Sequence, residues 1–272
     1  QGLTAAFGHQ VLVEAKGGAS GALAAQAVSK APADGYTLLL YSSALWIVPL
    51  MKNVSWDPQK DFSPVILAAM APNVLVVHPS LPVTSVKELA ALARRRPGEL
   101  NYAVGAAGSA MHLGAELFKS TMHLEIVRVP FKGTSYGLTA LMAGQVQLMF
   151  AAVGNVIQHI KSGRLKALGV TSARRNPALP DVPAMREDPD LPGFESLSWI
   201  GLFAPRGMAP DQIRLLNGYA ARALREPEVI AALGAAGFSA EPSTPAELGE
   251  SVKREYEKWG EVIRNAGIKQ EE

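Results

Sequence analysis

The chain contains no cysteine. Disulfides, thiolate metal sites and cysteine nucleophiles are therefore excluded. Charge is sparse as well. Charged residues make up 18% of the chain, and 26 Lys and Arg stand against 24 Asp and Glu, a formal net charge of +2. No basic stripe with interleaved aromatics is present, so no nucleic-acid partner is expected. The densest basic cluster, Arg94-Arg95-Arg96, stands just before Pro97-Gly98 and reads as the solvated last turn of a helix. Long apolar runs are missing too. The longest, Tyr36 to Met51, is interrupted by Ser42, Ser43 and Pro49 and is too short to span a bilayer. The opening stretch, QGLTAAFGHQ, has neither the basic start nor the apolar core of an export signal. It reads as the end of a helix, so the polypeptide is expected to begin further upstream.

What remains is core-forming material. Of 272 residues, 48% are hydrophobic, enough for one large domain or two ordinary ones. Four segments share one pattern of apolar β-run, small-residue loop and helix: VLVEAKGGASGALAAQAVSKA, GYTLLLYSSALWIVPLM, LNYAVGAAGSAMHLGAELFKS and LEIVRVPFKGTSYGLTALMAGQV. They are not sequence repeats, but the shared pattern predicts an α/β fold with largely parallel sheets. Ser85 and Glu88 form a capping box for a helix that Pro97-Gly98 stops. Pro210 opens another helix. Thr244, Pro245 and Glu247 open a long amphipathic one with Val252, Tyr256, Trp259 and Ile263 on one stripe. Residues 173–194 are proline-rich and irregular, and WIGLFAP (199–205) reads as a strand. Two lobes are expected, residues 1–98 with 200–272 and residues 99–199, with a ligand cleft between them.

Reacting groups are hard to find. The chain has no G-x-S-x-G elbow, H-E-x-x-H, Walker A loop or G-x-G-x-x-G. Of the five histidines, His112 lies one helical turn from Glu116, but further ligands at metal spacing are lacking, so no metal site and no cofactor are expected. The loops instead offer neutral donors. Gly17, Gly18, Ser20, Ser42, Ser43, Gly108, Ser109, Ala110, Gly133, Thr134 and Ser135 all fall at predicted strand-to-helix turns. Glycine lets a ligand approach backbone N–H groups, hydroxyls add rotatable donors, and helix N-termini supply partial positive charge. Small residues also serve tight βα turns in their own right. Four such loops without a catalytic partner nevertheless favour binding of a carboxylate over chemistry on it.

Five stretches resemble the periplasmic receptors of tripartite tricarboxylate transporters, the Bug/TctC family: KAPADGYTLLLYSS, NYAVGAAGSAMHLGAELFK, VPFKGTSYGLTALMAGQVQLMF, HIKSGRLKALGVTSARRNPALPDVPAM and LPGFESLSWIGLFAPRGM. They occur in order and span nearly the whole chain. The resemblance implies a two-lobe periplasmic-binding-protein-like fold that closes around a small carboxylate. It also implies a monomer that passes its ligand to membrane permease subunits, without catalysis. It puts Ser42 and Ser43, Gly108 and Ser109, and Gly133 and Thr134 among the ligand contacts. Three features depart from the family pattern. The family's first strand and its Pro/Gly-rich loop have no counterpart here. Ala151-Ala152 stand where many relatives have Asp-Asn, which disfavours an amino-acid ligand. Ala106, Ala107, Ala110 and Met111 make one loop less polar and suit an acid with an apolar body. Two other readings stay open on the residues alone: an α/β hydrolase or transferase with Ser109 or His112 reactive, and an intracellular two-lobe ligand sensor.

Overall fold

The structure, a computed structural model, describes residues 3–4, 8–16, 21–105, 108–265 and 268. The chain forms two compact units, one of Gln1–Met70, Trp199–Glu261 and Ile268–Glu272, the other of Ala71–Ser198 and Val262–Gly267. The expected crossing at Pro97-Gly98 lies inside the second unit, where Gly98 turns the chain from a helix to a strand with φ +72°. The division falls instead within one 16-residue strand, β2 (Phe62–Val77). Pro72 lies two residues beyond it. Proline has no N–H to give a ladder. Pairing of β2 with β8 (Ser239–Ala240) ends at Met70, and pairing with β5 (Leu148–Ala152) starts at Asn73.

In the first unit, α1 (Ala22–Ser29) precedes β1 (Leu39–Ser42) and α2 (Ala44–Met51). β1 pairs antiparallel with β7 (Leu197–Pro205), which neighbours β2. Trp46 packs edge-on against Trp199 and Phe203. Val65, Ile66, Leu202 and Ala204 of the sheet meet Ile213, Leu216 and Ala220 of α7 (Pro210–Leu224). A short α8 (Pro227–Ala235) follows. Helix α9 (Pro245–Asn265) opens where predicted, with a capping box: Glu247 N–H donates to Thr244 Oγ1, and Thr244 N–H donates to Glu247 Oε2. The segment Val11–Lys16, predicted as the first strand, is not one. Leu12 is 79% and Val13 93% exposed, and no described residue pairs with them. A β-prone run without a neighbouring strand has no ladder for its backbone groups.

In the second unit the sheet runs in the order β6 (Lys166–Val170), β2, β5, β3 (Asn101–Val104), β4 (Val127–Pro130). β3 is parallel to β4 and β5, and β5 and β6 both run antiparallel to β2. Strands β3 to β6 therefore point the same way. Side chains alternate between two cores. Leu75, Tyr102, Val104 and Phe150 face α3 (Val86–Arg95) and α4 (Ala110–Met122). Val74, Ala103, Met149 and Ala151 face α5 (Thr134–Met142) and α6 (Val153–Lys161). Burial on both faces explains the continuous apolar runs of these strands. The cap of α3 differs in one bond from the predicted box. Glu88 N–H donates to Ser85 Oγ, but the Glu88 carboxylate receives Thr84 N–H and hydroxyl instead of Ser85 N–H.

The irregular segment after β6 is fastened by Arg175, which donates to both oxygens of Glu187 at 2.9 and 2.7 Å. The Arg175 hydrogen bonds, then that from Ala184 N–H, lower the Glu187 carboxyl from 4.5 to about 2. Stability from this carboxylate is present above pH 4.5 and is lost as pH falls toward 2. Both side chains are exposed, so the gain is small and salt-sensitive. The melting temperature of the wild type should drop more steeply between those pH values than that of Glu187→Gln. Parallel curves would show that the pair contributes nothing.

Candidate functional site

The carboxyl ends of β3, β4, β5 and β6 lie at one end of the second unit's sheet, and α4, α5 and α6 start there. In open α/β sheets this is the end at which ligands bind. Each helix start presents N–H groups without intrahelical acceptors, and each is equivalent to roughly half a positive charge. The predicted loops 105–109 and 132–135 meet through one glycine. A Cβ on Gly105 would lie 2.4 Å from the Thr134 nitrogen and 2.7 Å from the Gly133 carbonyl carbon. Only hydrogen fits. Phe131 N–H also donates to Val104 O at 2.8 Å, so the two turns are locked side by side.

The predicted residues take distinct roles. Gly108 has φ +74°, and its N–H donates to His112 Nδ1 at 3.1 Å. That N–H, expected to serve a ligand, is engaged within the protein. Ser109 is the N-cap of α4 and accepts His112 N–H at 3.2 Å, which leaves its hydroxyl hydrogen to donate. Ala110 is the first residue of α4 and is buried. Gly133 is the N-cap of α5, Thr134 is its half-buried first residue, and Ser135 is exposed. Ser42 and Ser43 belong to the first unit. Ser42 is exposed and accepts Ala44 N–H, whereas Ser43 is buried as the N-cap of α2, its own N–H donated to Trp199 O at 3.1 Å. Gly17, Gly18 and Ser20 lie outside the described residues, as do Ala106 and Ala107.

Sequence reasoning missed the charge behind the loops. Arg128 on β4 brings its guanidinium to 3.5 Å from His112 Nε2, beside the first turn of α4. His112 is buried, and its Nδ1 lone pair is held by Gly108, so this nitrogen cannot serve Ser109 as a base. The polar row continues inward. Tyr102, register partner of Arg128, donates its hydroxyl to Glu116, which also receives Lys119 Nζ at 2.8 and 3.0 Å. Burial, then the Glu116 carboxylate, pushes the Tyr102 phenol well above its ordinary value, with Arg128 opposing. Glu116 is thus engaged by neighbours on two sides. Among the described residues no group of three His, Cys, Asp or Glu could hold a metal. Period-2 alternation in VRVP was the available signal for Arg128, since it sets that residue on the face opposite Val127 and Val129.

Helix N-termini at one end of a sheet, a glycine-shaped contact between two loops and an adjacent guanidinium are features suited to holding a solute. The chain belongs to the tripartite tricarboxylate transporter receptor family, whose pattern it matches over residues 1–268. It is 35% identical over 266 residues to Protein BugT of Bordetella pertussis, covering 97% of this chain and 81% of that protein. Among solved structures it is similar to R. palustris Rpa4515 with adipate, with a TM-score of 0.85 and 36% identity over 98% of this chain and 90% of the other. It also resembles MatC (Rpa3494) from Rhodopseudomonas palustris with bound malate, with a TM-score of 0.80 and 31% identity over 96% and 90%. The two-unit α/β architecture is that of periplasmic binding proteins, and the family consists of solute-binding receptors rather than enzymes.

The Gly105 contact yields a direct test. Gly105→Ala should cost roughly 1–3 kcal/mol of folding stability, as overpacking against fixed backbone does. Chemical denaturation reads the loss. A variant as stable as wild type would mean that the two loops separate freely.

Proposed function

We propose that this protein is a periplasmic receptor that binds a small organic carboxylate and passes it to the permease of a tripartite transporter. It acts as a monomer, without cofactor or catalysis. The observation that carries the reading is the seat of Gly105, just after β3, against the N-terminus of α5, with α4 and α6 starting at the same end of the sheet and Arg128 beside the first turn of α4. Backbone N–H groups and the Ser109 and Thr134 hydroxyls suit carboxylate oxygens, and the helix termini favour negative charge. Ser109, Ala110, Thr134 and Ser135 are the proposed contacts in the second unit. Ser42 and Ser43 offer the same chemistry in the first and are proposed as carboxylate contacts too.

The ligands of the two structural relatives, adipate and malate, are dicarboxylates, which supports an organic acid here. Ala110 and Met111 at the start of α4 favour an apolar body behind the carboxylate. The nucleophilic alternative at Ser109 lacks support, because the His112 ring nitrogen that would activate it is bonded to Gly108.

Calorimetric titration with adipate, malate and benzoate tests the proposal. Saturable binding of at least one is expected, and Ser109→Ala should weaken it by about 0.5–1.5 kcal/mol, one neutral hydrogen bond. Absence of binding to all three acids would overturn the reading.

A further inference from the structure

Ser196 lies in the irregular segment before β7, outside every predicted contact. It is wholly buried, as are Asn73 on β2 and Thr171 at the end of β6. Its backbone is tied to the site end of the sheet. Ser196 N–H donates to Thr171 O at 3.0 Å, and the Thr171 hydroxyl donates back to Ser196 O. Thr171 N–H in turn donates to Asn73 O at 2.8 Å, and Asn73 N–H donates to Thr171 Oγ1 at 2.9 Å. The Ser196 side chain reaches the other way. Its Oγ donates to the carbonyl of Ala110, the first residue of α4, at 3.1 Å.

This reach depends on Gly114. A Cβ at position 114 would lie 2.9 Å from Ser196 Oγ and 3.3 Å from its Cβ. A glycine inside a helix is unfavourable relative to alanine. Gly114 is not among the glycines with positive φ, so backbone freedom does not require it. Space for the serine hydroxyl does.

We propose that Ser196 is a positioning residue of the carboxylate site. It clamps the first turn of α4, and with it the N–H groups that follow Ser109, to the end of the sheet. The proposal rests on the carboxylate reading above. It assigns a role to a residue 86 positions from Ala110 that is not among the proposed contacts.

The test compares four forms of the full chain: wild type, Ser196→Ala, Gly114→Ala and the double variant. Adipate, malate and benzoate are titrated by calorimetry. Denaturation midpoints and amide exchange at Leu113 and Gly114 are measured without ligand. Ser196→Ala should speed exchange at these amides and weaken acid binding roughly threefold to tenfold, with a midpoint close to wild type. Gly114→Ala should lose midpoint and affinity together, because its methyl meets Ser196 Oγ. The double variant should regain the midpoint, since the hydroxyl is gone, yet keep the weakened affinity of Ser196→Ala. Affinity that simply follows the midpoint across the four forms would make Ser196 a packing residue and overturn the positioning role alone. Wild-type affinity and exchange in Ser196→Ala would do the same. If wild type binds none of the three acids, the carboxylate reading fails and the positioning role with it.

Discussion

The site depends on the absence of a single side chain. With hydrogen at position 105, the turn after β3 rests directly on the backbone of Gly133 and Thr134. That contact fixes the start of α5 against the end of β3, and α4 starts at the same end of the sheet from its other face. β5 pairs with β3, so the start of α6 is delivered to the same end. None of these termini alone would be a site. Each contributes typically 0.3–1 kcal/mol toward an anion at its end, so their value lies in convergence.

Beside the neutral donors lies a row of buried and half-buried ionic and polar groups: His112, Arg128, Tyr102, Glu116 and Lys119. The row is internally matched. Lys119 balances the charge of the buried Glu116 carboxylate, Tyr102 donates a hydrogen bond to it, and the guanidinium of Arg128 stands beside the first turn of α4. A charge held one layer back attracts an anion without pairing with it directly, which suits a ligand that must also be released. His112 fixes the shape of the loop by accepting Gly108 N–H, and Ser196 fixes the helix that follows. Backbone donors at the helix starts and a hydrogen-bonded polar layer beside them suit the proposed binding role.

Local signals in the sequence were partly reliable. The β-run, small-residue loop and helix pattern gave α/β units in three of its four segments, and the helices predicted to open at Ser85 and Thr244 do so. The predicted largely parallel pairing holds only for β3 with β4 and β5, the pairings of β1 with β7 and of β2 with β5, β6 and β8 being antiparallel. Long-range features were not legible. Val11–Lys16 has a strand's composition, but whether a run becomes a strand depends on a neighbour that composition does not reveal. Pro97-Gly98 was expected to mark a crossing, yet the division falls within β2, where its pairing partners change between Met70 and Asn73. In the site, the small residues were legible because turns demand them. Arg128 and Ser196 were not, since their roles arise from side chains meeting across 16 and 86 residues of sequence.

On the proposed function, an organic acid sits on the helix starts at the end of the second unit's sheet. Backbone amide chemical shifts of the isotope-labelled protein, followed during titration with an acid that binds, test it most directly. The largest shifts should fall on Ser109 to His112, Thr134 and Ser135, and the first residues of α6. Shifts confined to residues away from these turns would contradict the account.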